Sequence, residues 1–299
     1  MNVTAKVFTC NGVMHDLNLL NHHIDHYLNL GINPKNYIIM LNTPNLFCEN
    51  LREAKNICKK TGVNLVHVWE GQYSSDVMHK IRRELINIYW NKDDWVVHAD
   101  ADEFHEYPKP FLEFVKDLSK TDITAVQGVF VDRLDSNGIL KEVSQEPSID
   151  KQFPVKANAD SMRLGAFENT KSEKAHGRKK ITSVVKMMMY KKHLPTSRGG
   201  HIIGEKINGK IEVPSDLKYY LGDDLSAHED ILDINFRKQC PLKVHHYKWH
   251  SGVIEKLKER ADLYKKQNKK FWKDSQKTID AMEFNSDNVR IPLSSIEVF

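Results

Sequence analysis

WVVHADADEFHEYP, residues 95–108, sets a short apolar run against four acids, Asp100, Asp102, Glu103 and Glu106. An apolar run of this length, without alternation, has the pattern of a strand buried on both faces. The cluster at its end is therefore a place where a fold would concentrate negative charge. Working back from it, VTAKVFT (3–9), NYIIML (36–41) and VNLVHV (63–68) have the same strand-length character.

Helical stretches separate these runs. Leu17, Leu20, Ile24 and Tyr27 recur at helical spacing before Gly31, and a second helix over about 49–61 stops at Gly62. Ser75 or Asp76 caps a third, whose Val77, Met78, Ile81, Leu85 and Ile88 form one stripe. The first hundred residues thus read β-α-β-α-β-α-β. That alternation predicts an α/β fold with a mostly parallel, Rossmann-like central sheet flanked by helices, with ligands bound beyond the carboxyl ends of the strands. Asp100 and Asp102 lie at such an end.

Beyond Pro108 the pattern predicts a helix to about 119, a strand DITAVQGVFV (122–131) and a turn DRLDSNG (132–138). Residues 145–180 read as loops over one sheet face, and strand character returns in ITSVVKMMMY (181–190). PLKVHHYKWHSG leads into a helix carrying Val253 or Ile254, Leu257, Ala261 and Tyr264 in register. We expect one catalytic domain over 1–250 with a helical C-terminal extension, 251–299, packed on it.

The net charge is +4, with basic residues crowded into 251–273 and acids near 93–106 and 223–230. The four cysteines form no C-x-x-C pair, and no apolar stretch approaches transmembrane length, so a soluble, cytoplasmic protein is expected. The basic segment is either a solvated helix face or a contact for an anionic partner, such as a membrane surface or polyanionic acceptor; nucleic acid is not expected as the main partner. In the polymer-binding alternative, Tyr264, Phe271 and Trp272 would stack on bases.

Two carboxylates one residue apart offer hard oxygen ligands to Mn²⁺ or Mg²⁺, and such a cation can hold a diphosphate. The chain has neither G-x-x-x-x-G-K-[ST] nor G-x-G-x-x-G to cradle phosphates by backbone. The bland alternative is an acidic loop capping the next helix through Glu103 or Glu106. An EF-hand loop is excluded, because Phe104 and His105 stand where it needs an acid or Asn and then Gly. The placement also resembles phosphohydrolases of the haloacid dehalogenase type, with Asp100 as nucleophile, Asp102 as acid/base and Asp223 and Asp224 as later acids. Phe104 departs from that family's Thr or Val.

WVVHADADEF is similar to the D-x-D-E-F segment of GT-A fold glycosyltransferases, particularly family 2-like bacterial and viral enzymes. VDRLDSNG, KQFP, GGH (199–201), VHHYKW and a helix with KERADLY follow in order, so the likeness spans about 1–285. It implies a nucleoside diphosphate sugar donor, a hydroxyl acceptor on a glycan or glycoconjugate, and inversion. It further implies Asp102 and His246 as metal ligands, with Asp100 on the metal, a metal-bound water or the ribose, and Lys248 as another diphosphate contact. Thr9 to Asn11 would border the base, and Arg82 and Arg83 would reach phosphate or ribose. Asp132, with Arg133, would lie near a sugar, and His201 or Asp230 would be the base. His245 and His246 point to opposite faces of an extended segment, so only one reaches the site. Glu103 either orients a ligand or begins the next helix, and His22 and His26 belong to an ordinary helix face.

Overall fold

The computed structural model describes residues 4–158, 184–207, 210–221, 224–270, 272–286 and 288–299. In chain order the elements are β1 (Ala5–Gly12), α1 (Leu17–Asn29), β2 (Tyr37–Thr43), α2 (Glu49–Thr61), β3 (Asn64–Glu70), α3 (Ser75–Tyr89), β4 (Trp95–His98) and β5 (Glu103–Glu106). There follow α4 (Phe111–Leu118), β6 (Ala125–Leu134), α5 (Ile149–Gln152), β7 (Val155–Asn158) and β8 (Val185–Lys191). A hairpin of β9 (Glu205–Ile207) and β10 (Lys210–Glu212) precedes α6 (Ile234–Gln239) and β11 (Lys243–His246). The chain closes with α7 (Val253–Lys266), α8 (Trp272–Asp280), a hairpin of β12 (Glu283–Phe284) and β13 (Val289–Arg290), and β14 (Glu297–Val298).

The sheet runs β14-β7-β6-β8-β4-β1-β2-β3. Strands β3, β2, β1 and β4 are mutually parallel, as the alternation of the first hundred residues predicts. Its two faces follow from the period of two in strands that are apolar throughout. Val7, Ile39, Leu41, Trp95 and Val97 face one core with α1, α2 and α4. Their alternates Phe8, Ile38, Met40 and Val96 face another with Met78, Leu85 and Ile86 of α3. The fold is a mixed α/β sandwich with helices on both faces of a mostly parallel sheet.

Several sequence expectations need correction. Val77 and Ile88 of the α3 stripe are exposed, and Arg82 takes the buried place at helical spacing from Met78 and Leu85. β6 continues through Asp132 to Leu134, where a turn was expected, because β7 pairs with Asp132–Leu134 and β11 with Val129–Asp132. Residues 149–152 and 155–158, within the expected loops, form α5 and β7. Residues 159–183, like Asp223 and Phe271, lie outside the described residues. Among those described, no helix is long and apolar enough to cross a membrane.

The inner face of α1 carries a titrating group. His23 is 1% exposed and bonded to the Tyr37 hydroxyl, and burial pushes its imidazole down to about 3. An unfolded imidazole takes its proton near pH 6.5, so between there and the folded value the unfolded chain binds more protons and stability falls as pH drops. At pH 4.5 this one residue is expected to cost roughly 2 kcal/mol relative to pH 7. Urea unfolding of wild type and His23→Gln at the two pH values measures it; an equal pH dependence in the two chains would contradict the assignment.

Candidate metal and anion site

The site is built where β4 ends. The Ala99 amide still donates to the Phe8 carbonyl, which ties the strand's exit to β1. The chain then turns through Asp100–Asp102, with the Glu103 amide on the Asp100 carbonyl at 3.0 Å and the Asp100 amide on Glu103 Oε2 at 3.0 Å. Glu103 opens β5 rather than a helix. β5 pairs antiparallel with β11, and β11 pairs parallel with β6, so Glu103, His246 and Asp132 are neighbours in one cross-strand row. Asp102 immediately precedes that row, and its carbonyl accepts from the Tyr247 amide at 2.7 Å.

One ligand atom from each of Asp102, Glu103 and His246 lies within 4.8 Å of the others. His246 Nε2 is 3.6 Å from Asp102 Oδ2, and its Nδ1 is 2.9 Å from Asp132 Oδ1. Asp132 also accepts from Trp249 Nε1 at 2.9 Å. A carboxylate holding one ring nitrogen fixes the imidazole and aims the other nitrogen at the acids, an arrangement suited to a metal-ligating histidine. The donor set, two carboxylates and one imidazole, fits a divalent cation such as Mn²⁺ or Mg²⁺. Burial alone would lower the His246 imidazole, but the Asp102 and Asp132 carboxylates outweigh it and raise it to about 9. Burial likewise works against the Asp102 carboxylate, yet Lys256 and His246 hold it far below the usual carboxylate range.

Lys186, fully buried in β8, donates to Asp100 Oδ2 and Glu103 Oε1, both at 2.8 Å. Burial, with Asp100 and Asp102 nearby, pushes the Glu103 carboxyl up against the pull of Lys186. Asp100 is held low because Lys186 and His98 overcome its burial. The lone lysine in VVKMMMY was the signal for this network, since a charge inside an apolar strand needs a buried partner. Asp16, at the start of α1, and Lys256, in the first turn of α7, are likewise absent from the sequence expectations. Lys256 Nζ donates to Asp16 Oδ1 and Oδ2 at 3.0 and 2.9 Å and stands 3.9 Å from Asp102 Oδ2.

Asp16, Asp102, Glu103, His246 and Lys256 form the floor of a cavity of about 970 Å³ between the strand ends and α7. Asp100, Asp102, His201, His246 and Lys248 line it. Of the β1 residues, Cys10 and Gly12 line it, whereas Thr9 and Asn11 are buried and Asn11 Nδ2 donates to the Asp16 carbonyl at 2.8 Å. Asp132 supports His246 instead of reaching the cavity. Asp230 is exposed on a short 3₁₀ turn and is not among the described lining residues. Arg82 is internal, donating to His98 Nε2 at 2.7 Å, His79 Nδ1 at 2.8 Å and the Ser197 carbonyl at 3.1 Å. With Arg83 it borders a different cavity of about 530 Å³.

His201 Nδ1 donates to the Val185 carbonyl at 2.7 Å, which in the neutral ring puts the lone pair on Nε2. The glycines before it serve packing. Gly200 has φ +66°, and a Cβ there would come within 2.3 Å of His98 and 3.2 Å of Lys186. Adjacent β11 side chains diverge as alternation requires: His245 Nε2 meets Glu106 Oε2 at 2.7 Å, on the other face from His246. Glu106 is thus a β5 ion-pair partner and not a helix-proximal charge. His22 and His26 bond the Ser144 and His105 carbonyls at 2.8 and 3.0 Å.

No protein-family model and no curated protein matches the chain. Among solved structures, the chain is similar to 4-diphosphocytidyl-2C-methyl-D-erythritol synthase from Anaerococcus prevotii DSM 20548. The two are 14% identical, the match covers 80% of this chain and 96% of that one, and the TM-score is 0.34. At that score the likeness bears on neither family nor chemistry.

Proposed function

We propose that this protein is a divalent-metal-dependent glycosyltransferase, moving a sugar from a nucleoside diphosphate sugar to a hydroxyl of a glycan or glycoconjugate with inversion. The observation that carries the reading is the convergence of Asp102, Glu103 and His246 within 4.8 Å, at the end of a parallel strand and on the floor of a cavity large enough for such a donor. Asp102 and His246 hold the cation, and Asp132 keeps the His246 ring turned toward it. When bound, Mn²⁺ or Mg²⁺ neutralises charge that builds on the departing diphosphate. Asp100, tied to Lys186, closes the turn and borders the donor, and Lys248 adds a positive charge at the cavity wall. His201 is the base candidate: its lone pair on Nε2 accepts the proton of the acceptor hydroxyl as the new glycosidic bond forms.

A phosphohydrolase would instead use Asp100 as nucleophile, in the position where Lys186 holds its carboxylate at 2.8 Å. Incubation with Mn²⁺ and a panel of nucleotide sugars separates the two. The transferase reading predicts slow, EDTA-sensitive release of a nucleoside diphosphate from one donor. Release of inorganic phosphate from simple phosphomonoesters, with no donor cleaved, would overturn it.

A further inference from the structure

The cavity floor carries a cation that the D-x-D turn does not call for. Lys256 reaches it from α7, more than 150 residues along the chain, and its side chain is 40% exposed to the cleft while Asp16 is 8% exposed. Two of its three N–H groups are accounted for by the Asp16 oxygens at 3.0 and 2.9 Å. The Asp102 oxygen, at 3.9 Å, is near enough for strong attraction but beyond hydrogen-bond reach. A lysine serving only to neutralise Asp16 would have no need to face the cavity. Here the ammonium is anchored on one side, open on the other, and placed beside the group assigned to the cation.

We propose that Lys256 is the anion-binding cation of the cleft: Asp16 holds it in place, it competes with a divalent cation for Asp102, and it meets the diphosphate of the donor. The identity of that anion rests on the glycosyltransferase reading; the presence of an anion subsite at Lys256 does not. A divalent cation bound at Asp102 would supply the positive charge that Lys256 lends it, leaving the Asp16-anchored ammonium to attract an anion in the cleft. Asp16 is then a positioning residue, keeping a flexible side chain over the floor. In this arrangement the C-terminal helix is part of the ligand site, because α7 also brings Val253, Leu257 and Arg260 to the cavity wall.

The test is calorimetric, on the full chain, with MnCl₂ alone and with inorganic pyrophosphate in either Mn²⁺ or EDTA. Lys256→Met is expected to tighten Mn²⁺ binding about tenfold by removing a like charge a few ångströms away. It should weaken pyrophosphate binding about tenfold or more in both conditions, and Lys256→Arg should restore it. Should Lys256→Met fail to fold, Lys256→Gln carries the comparison. Unchanged pyrophosphate affinity on loss of the charge, or no pyrophosphate binding by the wild-type chain, would overturn the proposal. Asp102→Asn separates the two readings: if it leaves Mn²⁺ binding intact, the assigned metal site fails, and pyrophosphate in EDTA still decides the role of Lys256.

Discussion

Replacing Asp102 by Asn is expected to lower Mn²⁺-dependent cleavage of the donor roughly a thousandfold, because a metal ligand contributes several kcal/mol of charge stabilisation as the diphosphate leaves. The fold should survive. Asp102 sits among like charges, with Asp100 and Glu103 beside it in sequence and Asp16 sharing Lys256. Removing its charge leaves Lys256 bonded to Asp16 and His246 bonded to Asp132, so no buried cation is orphaned. The attraction of Lys256 and His246 that holds the Asp102 carboxylate low is lost, so the melting temperature is expected to fall by a few degrees while the transition stays cooperative. A thousandfold activity loss with only that small shift in the melt marks a chemical role, whereas loss of the cooperative transition would mark a structural one.

Lys186→Met is expected to do the reverse, destabilising the protein by about 3–5 kcal/mol, the usual consequence of deleting one partner from a buried ion pair. Lys186 is 1% exposed, and Glu103 beside it is 4% exposed, so without the ammonium the Glu103 carboxylate cannot recover its solvation. The pH dependence has a definite sign. In the variant the buried Glu103 carboxyl is raised further above its unfolded value, and protonation in the folded state then relieves the penalty. The variant's deficit should accordingly shrink as pH falls from 7 toward 5.5. Adding Glu103→Gln to Lys186→Met should recover more than about 1 kcal/mol at pH 7 by removing the unpaired charge. Urea unfolding of the single and double variants measures both effects. A single variant within 1 kcal/mol of wild type would contradict the structural role given to Lys186.

The parallel half of the sheet was legible because its strands and helices announce themselves by local period. NYIIML and WVVHA are apolar on both sides for the reason that both faces of β2 and β4 are covered. What escaped was decided by distant pairing. EFHE is too short to show alternation, and only β11, some 140 residues later, makes it a strand. Asp132 and Arg133 have the local pattern of a turn because β7, which carries β6 on to Leu134, is only four residues long, and β11, which pairs as far as Asp132, is remote in sequence. Side-chain roles divide in the same way. The divergence of His245 and His246 follows from strand geometry alone, so it could be foreseen. The partnership of Lys256 with Asp16 joins residues 240 apart, and no local pattern encodes it. The resemblance alone places Arg82 at phosphate or ribose, and it does not register which face of α3 the residue occupies. Its place on the apolar stripe of α3, at helical spacing from Met78 and Leu85, is what buries it.

The central claim is that Asp102 and His246 hold a divalent cation on the cavity floor. The most direct measurement is anomalous diffraction at the manganese edge from crystals of the wild-type chain soaked in MnCl₂. A single strong peak is expected between the Asp102 carboxylate and His246 Nε2, with Asp132 still on the Nδ1 side of the ring, and it should vanish in Asp102→Asn. No peak at that position in the wild-type crystal, or a peak that persists there unchanged in Asp102→Asn, would contradict the account.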